Sequence, residues 1–251
     1  MENTAILRRG FELYRTNMIL IVPPLISTLI SFATSASTEP PAGQVSPVVT
    51  PVDASVVLKG LAVSLLGLAI SFILMVGQAG MSGRVVSEGR TSLDDWGMSV
   101  KRYFLRVLGL FLLYMLISFI MGLLLIPFDL LLRPLTTSPA WRYVLILLLA
   151  GASSIFHIIL APAVVDDKGV SDSLSLGLKT IRRQPRAFLG YVGFSYIIQL
   201  VVSSVATTET DAIIGSLSLT TMTSSIISTI WSPLHFLWAF LIYAITPKKL
   251  S

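Results

Sequence analysis

Three sets of residues in this chain have types and spacings that could do chemistry. The first is a pair of histidines, His157 and His235, each set in apolar sequence. A histidine in hydrocarbon can relay a proton or hold a ligand, but a ring hydrogen-bonded to a neighbouring helix backbone is the favoured reading. Two histidines without a deep Asp or Glu make a poor metal site. The chain has no cysteine, so thiolate catalysis, disulfides and Cys-metal sites are excluded, and no metal or cofactor is expected. The second set is the hydroxyls Thr221, Ser225, Ser228 and Ser232, which lead up to His235. They either line a polar cavity, together with His157 and His235, or bond back to carbonyls of their own helix. The third set is Arg15, Arg102 and Arg182, each five residues after a glycine. Their side chains either snorkel to the membrane surface or grip lipid phosphate oxygens with the two-pronged guanidinium. Nucleophile–His–acid arrangements, HExxH and Gly-rich phosphate loops are absent from the sequence, so no enzyme is expected and no catalytic residue is assigned.

The elements that must position these residues are six apolar stretches, about 18–37, 61–83, 104–127, 143–165, 187–205 and 221–245. Each is near the roughly 20 residues needed to span a bilayer. Only 12% of the chain is charged, against about 25% in a soluble domain. Fifteen of the 18 Lys and Arg residues fall on alternate sides of these stretches, leaving Lys59, Arg133 and Arg142 on the other. The positive-inside bias then puts both termini in the cytoplasm of a multi-pass plasma-membrane protein. The first stretch follows a long, patterned, arginine-bearing segment and reads as an uncleaved membrane helix. The sequence pI near 9.6 points to anionic lipid headgroups as partners, not nucleic acid, because no basic run is interleaved with aromatics. A protein partner or a homo-oligomer stays open.

The polar segments repeat. Thr4, Gly10 and Arg15 share a spacing with Thr91, Gly97 and Arg102, and with Ser171, Gly177 and Arg182, each just before an odd-numbered span. Val85-Val86 with Gly89, and Val164-Val165 with Gly169, extend the likeness upstream. Fixed-offset self-similarity marks duplicated units, here about 1–86, 87–165 and 166–251 of a single transmembrane domain. Each copy reads as a short amphipathic helix with its apolar stripe toward the membrane: Leu7, Phe11, Tyr14 and Met18; Leu93, Trp96, Val100 and Tyr103, with Asp94 and Asp95 away from it; Leu174, Leu178 and Ile181. Thr91/Asp94 and Ser92/Asp95 both fit a capping box, and Gln184-Pro185 ends or bends the third helix. The expected fold is therefore all-α: six transmembrane helices in three hairpin units, each odd-numbered span preceded by a cytoplasmic interfacial amphipathic helix. Gly77, Gly80, Gly83, Gly190 and Gly193 are read as tight packing sites, and Gln78 as an interhelical hydrogen-bonder. The outer connections are expected as an extended loop at 38–53, a segment over 128–142 that carries Pro134 and Pro139 and in which Asp129 pairs with Arg133 four residues on, and a segment at 206–220 with a short helix through Ile213 to Leu219.

A helix with a glycine ending near Asn17, a proline-bearing first span, and the Val-Val segments before further amphipathic helices resemble the membrane domain attached to some glycerophosphodiester phosphodiesterases, and related stand-alone archaeal and bacterial six-span proteins. In that family a separate soluble domain hydrolyses the substrate, and this chain lacks its His and acidic cluster. The resemblance therefore implies a membrane module without phosphodiesterase activity. Two functions stand: a non-enzymatic module engaging lipids or partner proteins at the cytoplasmic interface, or a transporter or channel for a small or amphiphilic solute.

Overall fold

The computed structural model describes residues 3–38, 54–136, 139–205, 213–214 and 217–246. Within them run eight α-helices: α1 (Asn3–Thr16), α2 (Val22–Thr38), α3 (Ala54–Glu88), α4 (Leu93–Thr136), α5 (Pro139–Val165), α6 (Val170–Arg183), α7 (Pro185–Val205) and α8 (Leu219–Ala244). A 3-10 turn over Met18–Ile21 joins α1 to α2. The expected short helix after Ile213 is replaced by a two-residue antiparallel pairing of Ile213–Ile214 with Leu217–Ser218. The connection over 128–142 is mostly helix, with α4 running on to Thr136 and α5 beginning at Pro139. Leu130, Leu131 and Leu132 are strong helix formers and carry it there. The loop expected at 38–53, the side chains of Asp129 and Arg133, and the side chain of Thr221 lie outside the described residues.

Among the described residues four helices are long and apolar enough to cross a membrane: Leu58–Glu88, Tyr143–Val165, Pro185–Ser204 and Thr223–Ala244. Thr4–Thr16 with Met18–Phe32 makes a fifth if that pair, bent by 89°, counts as one span. Only 17% of the most apolar window of Leu58–Glu88 is buried, so Leu61, Leu65 and Leu68 face outward. In water that would be an apolar patch far larger than soluble monomers carry. In a bilayer it is the solvated side.

The helices pack in a cycle. α3, α5 and α8 contact one another at the centre. α2 lies against α3 and α8, α4 against α3 and α5, and α7 against α5 and α8, so each fills one groove of the central three. The remaining contacts follow the same order: α4 packs on α3, α6 on α5, and α1 on α8. The deepest segment is Pro233–Tyr243 of α8, buried at every residue. In lipid such a core is held by van der Waals packing and interhelical hydrogen bonds, since the surroundings are as apolar as the interior.

Glycines set the distances. A Cβ on Gly10 would strike the Trp238 indole, one on Gly77 the Trp96 indole, and one on Gly80 the Ser99 side chain. One on Gly177 would come within 2.6 Å of the Ile159 backbone. Gly77, Gly80 and Gly83 are thus close-approach points, as expected; Gly193 has nothing within 4 Å. The joint of α1 and α8 is further fixed by the Trp238 N–H donating to the Leu7 carbonyl at 3.2 Å, and by Phe11 edge-on to Trp238.

The amphipathic segments are helical, and each expected stripe is divided between the outside and the protein. In α1 the buried residues are Ile6, Gly10, Leu13, Tyr14 and Asn17, while Phe11 and Met18 are exposed. In α6 they are Ser173, Gly177 and Thr180, with Leu178 exposed. At the start of α4 they are Asp95 and Ser99, and Leu93 is exposed. In α6 and at the start of α4 the fully buried residues are small or polar, whereas in α1 Ile6, Leu13 and Tyr14 face the protein as well. The second copy also differs in being no separate helix: α4 continues through it without a break.

Candidate functional site

Two of the three arginines are open to a ligand. Arg15 and Arg182 are exposed and make no hydrogen bond or ion pair with any described residue. Arg15 lies beside a hollow of about 370 Å3 on the outer face of α1, lined also by Arg8, Phe11, Glu12 and Thr16. Arg8 and Arg9 are held by Glu12 at 3.1 and 3.7 Å. Arg102, at the same step of the pattern, is engaged: its Nη2 lies 3.1 Å from Asp167 Oδ2.

Asp167 belongs to a clasp that sequence reading did not reach. Arg106 binds its carboxylate and donates to its carbonyl at 3.1 Å. Asp167 closes α5 with a left-handed backbone (φ 59), while the Asp166 and Lys168 N–H groups both reach back to the Pro162 carbonyl, at 3.2 and 3.1 Å. The Arg102 guanidinium, with Arg106 beside it, holds the Asp167 carboxyl below the usual carboxylate range. Gly89 ends α3 in the same way, with φ 80. Its sequence counterpart Gly169 does not, being extended and capping the start of α6. Asn17 reaches the α3–α4 turn from α1, donating to the Gly89 carbonyl at 3.1 Å and accepting from the Thr91 N–H at 3.1 Å. Of the two capping boxes, Ser92/Asp95 forms: the Ser92 N–H donates to Asp95 Oδ2 at 2.8 Å. Burial pushes the Asp95 carboxyl up, but the Ser92 bonds, the Arg84 guanidinium and the Thr91 hydroxyl together bring it below the usual range.

The cavity candidates separate into two places. Ser228 and Ser232 line a cleft of about 230 Å3 between α2, α3 and α8. Ser27, Thr28, Ser71, Gln78 and Thr229 complete its polar lining. Across it Ser27 donates to Ser71 at 3.3 Å, Thr28 and Thr229 share a hydrogen bond of 2.6 Å, and Gln78 donates to Ser232 at 3.1 Å. Ser225 is half-buried outside this lining, its carbonyl accepting from Thr229 at 2.8 Å. The signal for the partners was present in the sequence as isolated hydroxyls, Ser27, Thr28 and Ser71, within the first two apolar stretches.

His157 and His235 do meet, ring centroids 5.2 Å apart, but away from the cleft. His157 Nδ1 is 2.7 Å from the Ser153 carbonyl, and His235 Nε2 is 2.9 Å from Ser195 Oγ. Phe236, Trp231 and Tyr191 pack around them. One ring thus bonds its own helix backbone and the other a neighbouring hydroxyl. No set of three or more potential metal-ligating His, Cys, Asp or Glu occurs among the described residues.

The chain is therefore an all-helical protein with several helices fit to cross a membrane, a basic outer face on its short helices and a hydroxyl-lined cleft among its long ones. No protein-family model, curated protein or solved structure matches it.

Proposed function

We propose that the chain is a non-enzymatic integral membrane module of the plasma membrane that engages anionic lipid headgroups at the cytoplasmic surface. In this reading six helical crossings form three hairpins with both termini inside, and α1, the start of α4, and α6 lie in the interface. The cyclic packing, in which every short amphipathic segment rests on a central helix, supports three equivalent units. The resemblance to the membrane domain of certain phosphodiesterases fits a module without hydrolytic activity.

The observation that carries the headgroup reading is the state of Arg15 and Arg182. Both are exposed and unpaired by described residues, and both sit beside outward apolar side chains, Phe11 and Met18 in one case and Leu178 in the other. A phosphate in the interface completes that arrangement: the apolar neighbours enter the acyl boundary and the guanidinium takes two phosphate oxygens. Each such residue adds about 1 kcal/mol toward an anionic surface through charge alone. Replacing both by lysine keeps the charge and removes the fork. Native mass spectrometry of the double variant should show retention of phosphatidic acid reduced by about tenfold, the worth of one charge-assisted hydrogen bond. Arg102→Lys should leave it unchanged, because Asp167 already occupies that guanidinium. Undiminished retention in the double variant would overturn the proposal.

A further inference from the structure

We infer that the cleft between α2, α3 and α8 binds the uncharged, hydroxyl-bearing head of an amphiphile that enters from the bilayer. The inference rests on membrane insertion and is independent of headgroup binding by Arg15 and Arg182.

The first ground is that the cleft stays open. Its volume of about 230 Å3 is several times the roughly 30 Å3 share of one water. The second ground is its chemistry. Every polar lining group is a hydroxyl or the Gln78 amide, with no charged side chain among them. A phosphate or ammonium would lie there without a counter-charge, at heavy cost. Ser27, Thr229 and Ser232 spend their hydrogens across the cleft or on their own helix but keep a lone pair free, so the site offers acceptors to an O–H donor. The third ground is depth. Gln78 lies five residues inside the apolar stretch that ends at 83, about 7–8 Å along the axis at 1.5 Å per residue. That is within a hydrocarbon core of about 30 Å, on the side of the Arg84–Glu88 ion pair. The fourth is the rim. Ser228 is exposed, and Ile226, Ile230, Leu25 and Leu29 around the mouth face outward. An occupant that passes this rim arrives with an apolar tail, so a diradylglycerol or a long-chain alcohol fits where a phospholipid head or a free polyol does not.

The test uses the full chain in nanodiscs of zwitterionic lipid and a diazirine-bearing, alkyne-tagged long-chain alcohol. Cross-links mapped by tandem mass spectrometry should concentrate on peptides containing Pro23–Thr28 and Ser228–Ser232. Unlabelled diradylglycerol should compete. The monophosphate of the same alcohol should compete at least about a hundredfold less, the penalty of an uncompensated buried charge. Ser228→Phe fills the mouth from an exposed position and should abolish labelling of both peptides. Ser71→Ala with Ser232→Ala removes acceptors without adding bulk and should lower labelling about three- to tenfold, one net hydrogen bond. Melting of each variant reports folding separately. Labelling spread evenly along the lipid-facing helices, equal competition by the monophosphate or by glycerol, or labelling indifferent to both variants would each overturn the inference. None of these outcomes bears on phosphatidic acid retention.

Discussion

Gly10, Gly97 and Gly177 stand at one step of the sequence pattern but meet three surroundings. Gly177 has the Ile159 backbone beneath it, Gly10 has the Trp238 indole, and Gly97 has nothing within 4 Å. At the second copy the knob and the hole are exchanged: Trp96 and Ser99 sit on α4 and the glycines, Gly77 and Gly80, on α3. Gly177→Ala is therefore expected to destabilise by about 1–3 kcal/mol, the usual range for overpacking. Gly97→Ala should stabilise by about 0.5–1 kcal/mol through helix propensity. Denaturation in mixed micelles reads both, and a shared sign would refute the contact assignment. Sequence shows that a glycine recurs; it does not show what comes to lie against it. The stripes show the same limit. Their apolar residues were expected toward the membrane, and Phe11, Met18 and Leu178 do face out of the protein, but Tyr14 of the first stripe is buried against it. That His157 and His235 each lie in an apolar stretch was legible; their meeting, which needs α5 against α8, and the separation of that pair from the hydroxyl cleft were not. Asp167 gives a pH prediction. Its carboxyl is lowered in the fold, so its contribution is complete above the ordinary Asp value of about 3.9 and disappears as pH falls through the lowered one. Melting temperature should hold from neutral pH to about 4 and decline below it. Asp167→Asn should reduce that acid-side decline without removing it, because Asp95 is lowered in the same direction.

Among the elements, the joints after α1 and α6 are the same joint. Asn17 has φ −127 and ψ 53, and Gln184 has φ −125 and ψ 51, each seven residues after its repeat glycine. The matching position in the second copy is Phe104, and there the helix runs straight through. Local sequence accounts for the difference. Pro185 supplies no N–H and suits the first position of α7, and Asn17 uses its side chain on the α3–α4 turn, whereas Tyr103-Phe104-Leu105 holds no helix breaker. The third joint was readable in advance from Gln184-Pro185. The continuity of α4 was hidden by the repeat itself, which suggested three alike. Asn17→Ala removes a donor and an acceptor from the Gly89 carbonyl and the Thr91 N–H, so a loss of about 1–3 kcal/mol is expected. Gln184→Ala should cost much less, because no described residue bonds its side chain. Thermal melts of the two variants, side by side, decide it; equal losses would mean that the backbone bend, not the Asn17 bridge, carries the stability.

For the whole molecule, the governing feature is that α1 rests on α8 as α4 rests on α3 and α6 on α5. Helix content and the presence of several apolar helices were legible from composition and spacing. The closing contact was not, because it joins Leu7 to Trp238 across 231 residues and no local pattern encodes such a pairing. A cycle of contacts makes the position of the chain ends interchangeable. A circular permutant joined from Ser251 to Met1 and opened within 39–53 should insert and melt in one transition within about 2–4 °C of the parent, the shift that about 1 kcal/mol produces in a chain of this size. Failure to fold would show that α1 on α8 is not equivalent to the other two contacts. The closure also has a cost in time. At about 5–20 residues per second, Trp238 is synthesised roughly 10–50 s after Leu7. Throughout that interval the glycine face of α1 has no partner to cover it. With Phe11 and Met18 directed outward and Arg8, Arg9 and Arg15 around them, the first helix can wait on the membrane surface, held by lipid alone until the ribosome has delivered its last neighbour.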